Sequence, residues 1–272
     1  MVGCLDTPGP PRRGPPPLRG YTRPMFVAVG RLNADPEAVA RAARLAGLAL
    51  PDARRALQGP LPRVFARAAA HGPALVEGLA AEGFLAWCGD PSNIPSDADR
   101  VVVRRIAWEP GGLRAFDGRG DVHDCPAPAV RLLQRGIRTR TGTEIERTKE
   151  TRFDLGKAVL SGGLLLTKTV EKVKETLTHA KEPFLLVQRG DGHPDLMLYE
   201  HRLDYQCLGP DMGPSSLTNL GLLARRLQAL CPQAPLDDRV GRPGFVTGLP
   251  SLGVDPVDLA LYLVSEACRR AC

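Results

Sequence analysis

The sequence predicts an α+β fold: a small α/β unit, then an antiparallel β-rich unit closed by one helix, and a further helix near the C-terminus. Three observations predict it. Residues 100–152 carry the densest strand-and-turn signal in the chain. Residues 216–230 place Leu220, Leu223, Leu227 and Leu230 at helical spacing. Residues 25–89 alternate short apolar runs with helical patterns punctuated by glycine and proline.

Taken in order, residues 1–24 hold seven prolines and four arginines and cannot bury a core, so they read as a disordered Pro/Arg-rich tail. Met25, directly before the first apolar run, is an alternative start. Phe26 to Val29 is a short strand. A helix capped at Asn33 or Asp35 follows, with Val39, Ala42, Ala43 and Ala46 on its apolar face and Gly47 as its stop. A second helix runs from Pro51 to Leu57. Leu61 to Arg67 reads as a strand or a helical turn, a third helix opens at Gly72-Pro73, Gly83 ends it, and Phe84 to Trp87 returns as a strand. Residues 91–99, polar with two prolines, read as a linker.

The β-rich unit spans 100–232. Residues 100–108 are rich in valine, isoleucine and tryptophan, which suit a pleated, half-buried surface. Glu109 to Gly112 and Asp117 to Gly120 are turn sequences, making two hairpins with 113–116 and 122–123. From 132 to 143 the chain alternates Ile137 and Thr139 with Arg138 and Arg140, and period two places those arginines together. Residues 153–163 read as a loop and 168–181 as an amphipathic helix on Val170, Val173 and Leu177. Residues 183–188 and 196–199 form a hairpin about a Gly/Asp turn. After the helix at 216–230, residues 233–272 hold an irregular stretch and a last helix starting at Asp255-Pro256, with Val257, Leu261, Val264 and Cys268 in one stripe.

Two family resemblances accompany these elements. Gly47-Leu48-Ala49-Leu50-Pro51-Asp52-Ala53-Arg54, Leu61-Pro62-Arg63-Val64 and Leu79-Ala80-Ala81-Glu82-Gly83-Phe84 resemble the C-terminal domain of the bacterial ribosomal stalk protein. The resemblance implies a protein-contact role for the first helical hairpin, which in that family offers basic residues to translation factors. Arg54 falls on one such position, and Arg41 and Arg44 stand one residue from two others, held here by Ala40 and Ala43. The element order of 100–232 is similar to the pleckstrin-homology/GRAM-type barrel, whose members bind a peptide, a lipid headgroup or a neighbouring domain.

Charge and cysteine usage bound the function. Net charge is +6 over 272 residues, concentrated in the tail and in 99–152, where twelve basic side chains face eight acidic ones. Such a balance admits an acidic partner, while the interleaved Glu144, Glu146 and Glu150 fit a solvated strand face. Seven cysteines without a CxxC pair suit a reducing compartment better than a disulfide framework, and the chain is expected in the cytoplasm. No apolar run reaches transmembrane length. No nucleophile elbow, P-loop, dinucleotide fingerprint or zincin helix occurs, so no catalytic residue, metal or cofactor is assigned. His193 with Asp191 and Asp195, and His123 with Asp121 and Asp124, supply too few groups for a metal site. The expectation is therefore a non-enzymatic interaction protein for a protein partner or acidic ligand. Its contact residues would be Arg131, Arg135, Arg138 and Arg140 on the strand face and Arg41, Arg44 and Arg54 on the helical hairpin. The alternatives are nucleic-acid binding by the same arginines, which an aromatic content of 5% disfavours, and an enzyme of unrecognised type.

Overall fold

Phe184, Leu185, Leu186 and Val187 follow one another in a single strand, and none has measurable exposure. Successive strand side chains point to opposite faces, so a strand buried at every position must be covered on both. That requirement organises the larger part of the molecule. The computed structural model describes residues 25–33, 35, 37–68, 71–153 and 167–271, with the backbone alone at 68, 140–153 and 167–179. The fold is α+β and divides into two compact units. One runs to Leu57 and resumes over Val64–Asn93; the other takes Gln58–Arg63 and everything described from Ile94 onward. The tail at 1–24 lies outside the described residues.

In the first unit the order is β1 (Met25–Arg31), α1 (Ala38–Leu45), α2 (Leu50–Leu57), β2 (Arg63–Ala68), α3 (Gly72–Ala81) and β3 (Leu85–Gly89). The sheet order is β2-β1-β3, with β1 and β3 antiparallel. Val27 and Val29 pack against Ala38, Ala42 and Leu79. The predicted glycine stops are real C-caps. Gly47 adopts φ +65°, and the amides of Gly47 and Leu48 return to the carbonyls of Arg44 and Ala43, closing α1 as a Schellman motif. Gly83 and Phe84 do the same for α3, bonding to Ala80 and Leu79. Gly89 has a different reason: a Cβ there would lie 2.3 Å from Cζ of Phe26, a ring with no exposure. Gly89→Ala is expected to cost about 1–3 kcal/mol by overpacking, read as a lower urea midpoint at unchanged m-value.

The second unit contains β4 (Val101–Glu109), β5 (Gly112–Asp117), β6 (Val122–Pro126), β7 (Val130–Phe153), β8 (Thr167–Arg189), β9 (Leu196–Tyr199), α4 (Ser216–Leu230), β10 (Leu236–Asp237) and α5 (Pro256–Ala271). Its sheet runs β10-β7-β8-β9-β4-β5-β6. The β10–β7 and β4–β9 pairs are parallel and the others antiparallel. The sheet is therefore open and mixed, not the closed antiparallel barrel expected from element order. The reason is the second covering layer. Leu220, Leu223, Ala224 and Leu227 of α4 bury Leu133, Leu185, Val187, Leu196 and Leu198. Val257, Ala260, Leu261 and Val264 of α5 bury Leu132, Phe184, Leu186, Met197 and Tyr199 on the opposite face. Helix, sheet and helix make three layers.

Two further expectations change. Residues 168–181 form no helix but belong to β8, which pairs with β7 from Val130↔Arg189 to Phe153↔Thr167. Valine and threonine are stiff at χ1 and favour strands, and β7 supplies the hydrogen bonds, whereas the spacing of 170, 173 and 177 fits either period. The loop expected over 153–163 lies outside the described residues after Phe153, which closes β7. Residues 91–99 are not a plain linker. They form 3₁₀ turns at Pro91–Asn93 and Asp97–Asp99, fixed by Asp90 accepting from Ser92 N–H and by a capping box between Ser96 and Asp99. Among the described residues no helix is long and apolar enough to cross a membrane.

Candidate binding groove

The four strand arginines do not share a face. Leu133 packs on the α4 side and Leu132 on the α5 side, so alternation sends Arg135 and Ile137 toward α4 and Arg138 toward α5. Arg131 sits where the β7–β8 register shifts, is exposed, and donates to the Gly190 carbonyl at 3.1 Å. It lines a separate cavity of about 420 Å3 with Gln188, Asp195 and Cys268. The side chain of Arg140 lies outside the described residues.

Arg138 is no contact residue, because it is buried in an ion cluster. Its Nη2 lies 2.6 Å from Asp258 Oδ1, and Arg100 Nη1 lies 2.5 Å from the same oxygen. The three side chains are 9%, 5% and 3% exposed. Asp97 joins at 3.2 Å from Arg138 and 3.3 Å from Arg100, and its second oxygen accepts from the Tyr199 hydroxyl. Burial pushes the Arg138 guanidinium down, but the Asp258 hydrogen bond together with the charges of Asp258, Tyr199 and Asp97 outweighs it, and the pKa lies above the ordinary value. The cluster ties α5 to the sheet and leaves Arg138 too deeply buried to offer a partner its guanidinium.

Arg135 is different: it borders a groove of about 510 Å3 lined also by Ile137, Pro183, Leu217, Leu220 and Arg242. Ile137 is 43% and Leu217 59% exposed. Arg242 pairs with Asp238 at 2.7 Å, and Arg242, with a smaller contribution from Arg135, holds the Asp238 carboxyl below the usual range. Two guanidiniums against one carboxylate leave this groove positive. The edge of β7 runs along it. Leu133 N–H bonds to Pro235 O, and β10 stops at the Asp237↔Gln134 pair. Backbone groups of alternate residues share an edge, so those of Ile137 and Thr139 point outward as those of Leu133 do. Across the ladder Pro183 faces Ile137 and turns its own carbonyl to Glu200 N–H at 2.9 Å. Among the described residues no strand pairs with β7 beyond Gln134 on that side.

In the first unit, Arg41 is committed internally. Its Nε lies 2.5 Å from Glu82 and its Nη2 2.6 Å from Asp35, binding α1 to the end of α3. Arg44 and Arg54 are exposed and make no ion pair among the described residues. Sequence reasoning missed Leu217 and Arg242. Leu217 did leave a signal: it continues the 220–224–227 stripe one turn beyond the sheet that covers the rest.

Several other ionisable groups are satisfied by near neighbours. Arg189 holds Asp191 down to about 2, while burial raises Asp195, which accepts the Arg189 amide at 2.8 Å. His123 Nε2 stands 3.5 Å from Asp117. Burial pushes the Cys125 thiol up to about 11 and raises Cys207 and Cys231. Among the described residues no group of three or more His, Cys, Asp or Glu side chains could hold a metal ion. No protein-family model, curated protein or solved structure matches the chain.

Proposed function

We propose that the chain is a non-enzymatic binding protein whose groove beside β7 takes an extended, acidic segment of a partner protein. One observation carries this reading: the outward backbone edge at Ile137 and Thr139, the exposed Ile137 and Leu217, and the positive pair Arg135 and Arg242 all border one groove. An unpaired edge is a template for strand addition. Main-chain bonds would give affinity, the apolar pair would anchor alternate side chains, and the arginines would select acidic residues and steer the encounter. The raised thiols of Cys125, Cys207 and Cys231 fit this class, since a nucleophilic cysteine needs the opposite shift.

Panning a random peptide display library against the full chain, with counter-selection on an Arg135→Ala/Ile137→Asp variant, tests the reading. Enriched peptides should alternate apolar and acidic residues, and their affinity for the variant should fall by about tenfold or more. Peptides that bind the variant equally well, or no enrichment over it, would remove the groove from consideration.

A further inference from the structure

We infer that the second unit carries a separate anion site, for a small soluble ligand bearing a dianionic phosphate group, between the bulge in β4 and the β5–β6 turn. The concavity is about 450 Å3, and its lining includes Arg100, Arg104, Asp117, Gly118, Arg119 and Arg202. The backbone builds it deliberately. The β4–β5 register jumps from Val103↔Asp117 to Arg105↔Phe116, leaving Arg104 as the extra residue of a bulge. Bulges re-aim a side chain out of the regular ladder and recur beside functional sites. Opposite the bulge, the turn at 117–121 presents Arg119, and Gly120 supplies its left-handed residue at φ +89°.

Charge accounting separates this concavity from an ordinary solvated surface. Arg202 is neutralised by a two-pronged pair with Glu182, both bonds 3.0 Å, and lies 4.5 Å over the Tyr199 ring, so it forms a fixed wall. Arg100 is neutralised in the Asp258 cluster. Arg105 turns away to stack on Phe116 at 3.8 Å. The acidic lining residue, Asp117, keeps its negative charge, but both of its oxygens are engaged within its own turn. One oxygen accepts the amides of Arg119 and Asp121 at 2.8 and 3.0 Å, and the other faces His123 at 3.5 Å. Arg104 and Arg119 remain. Among the described residues neither has a carboxylate partner, and the one side-chain bond of Arg104 goes to the Arg202 carbonyl at 3.4 Å.

Two guanidiniums without an ion-pair partner border a concavity in which Asp117 offsets one of the two charges, so a net positive charge is left to attract an anion. The guanidinium fork matches phosphate oxygens in two-pronged geometry. Two forks offer more donors than one carboxylate can accept, and a phosphate with three oxygens uses them better.

The test is titration of the full chain, in phosphate-free buffer, with inorganic phosphate, free phosphoserine and acetate. It is followed by calorimetry and by the arginine Nε–Hε resonances. Saturable binding of the two phosphates is expected, with acetate about tenfold weaker. The Arg104→Ala/Arg119→Ala variant should lose about tenfold or more, and Arg104→Lys should fall between, since it keeps the charge without the fork. Arg135→Ala, in the β7 groove, should bind phosphate as the parent does, which keeps this site distinct from the peptide groove. Both substituted residues are exposed, so an unchanged thermal midpoint certifies the fold. Absence of saturation, equal loss in Arg135→Ala, or retention by vesicles of phosphatidylcholine with phosphatidylinositol 4-phosphate without any response to the free phosphates would each overturn the inference.

Discussion

Asp258→Ala lowers the free energy of unfolding by about 3 kcal/mol, the low end of what breaking a buried ion pair costs. Asp258 Oδ1 is the shared acceptor of Arg100 and Arg138, and all three side chains are almost wholly buried. Removing it leaves two desolvated guanidiniums with Asp97 as their nearest remaining carboxylate, at 3.3 and 3.2 Å. Asp97 and the more distant Asp255, 3.5 Å from Arg138, keep the cost from the upper end of the range. Asp258 lies in the first turn of α5, so the loss is expected to concentrate there. Hydrogen exchange over residues 257–268 should accelerate more than exchange in α4. A free energy of unfolding within about 0.5 kcal/mol of the parent, the usual range for surface substitutions, would show that the cluster is incidental to docking.

Phe184→Ala costs about 3–5 kcal/mol, the range for removing a fully buried phenylalanine. The ring has no exposure and meets Tyr199 edge-on, with centroids 6.2 Å apart and planes at 70°. It also fills the space over Gly136, where a Cβ would lie 2.6 Å from Cζ of Phe184. Neighbours can close little of the resulting cavity, because Leu132, Leu186 and Tyr199 are held in the same sheet by backbone ladders. Phe184→Leu should recover most of the loss by refilling volume. Combined with Asp258→Ala, the two effects should not add, since both sites act on the layer between α5 and the sheet. Equilibrium denaturation of the two single variants and the double variant decides this.

Much of the architecture could be read locally. Helix α4 begins and ends where its signals stand: Ser215 accepts from the Thr218 amide and the apolar stripe closes at Leu230. The stops at Gly47 and Gly83, and the hairpins through Gly111 and Gly120, follow from the need for positive φ. The doubly covered sheet also left a trace. Phe184 to Val187 and Leu196 to Tyr199 are continuous apolar runs, and continuous runs mark strands buried on both faces. A barrel with one wet face would have shown alternation.

The contact residues were less legible. Arg138 reads as an exposed strand arginine until α5, whose Asp258 lies 120 positions later in the chain, closes over it. Arg41 is lost to Glu82, 41 positions away, in the same manner. The concavity beside Arg104 depends on a one-residue register shift, which composition does not encode.

What the amino-acid order determined by itself was the set of elements, their caps and turns, and the strands that had to be buried twice. These depend on φ/ψ preference and on hydrogen bonds between near neighbours. Tertiary structure alone decided which arginines are spent inside and which remain for a ligand. A guanidinium is neutralised by whichever carboxylate packs within about 4 Å of it, and that neighbour is chosen by the folding of distant segments.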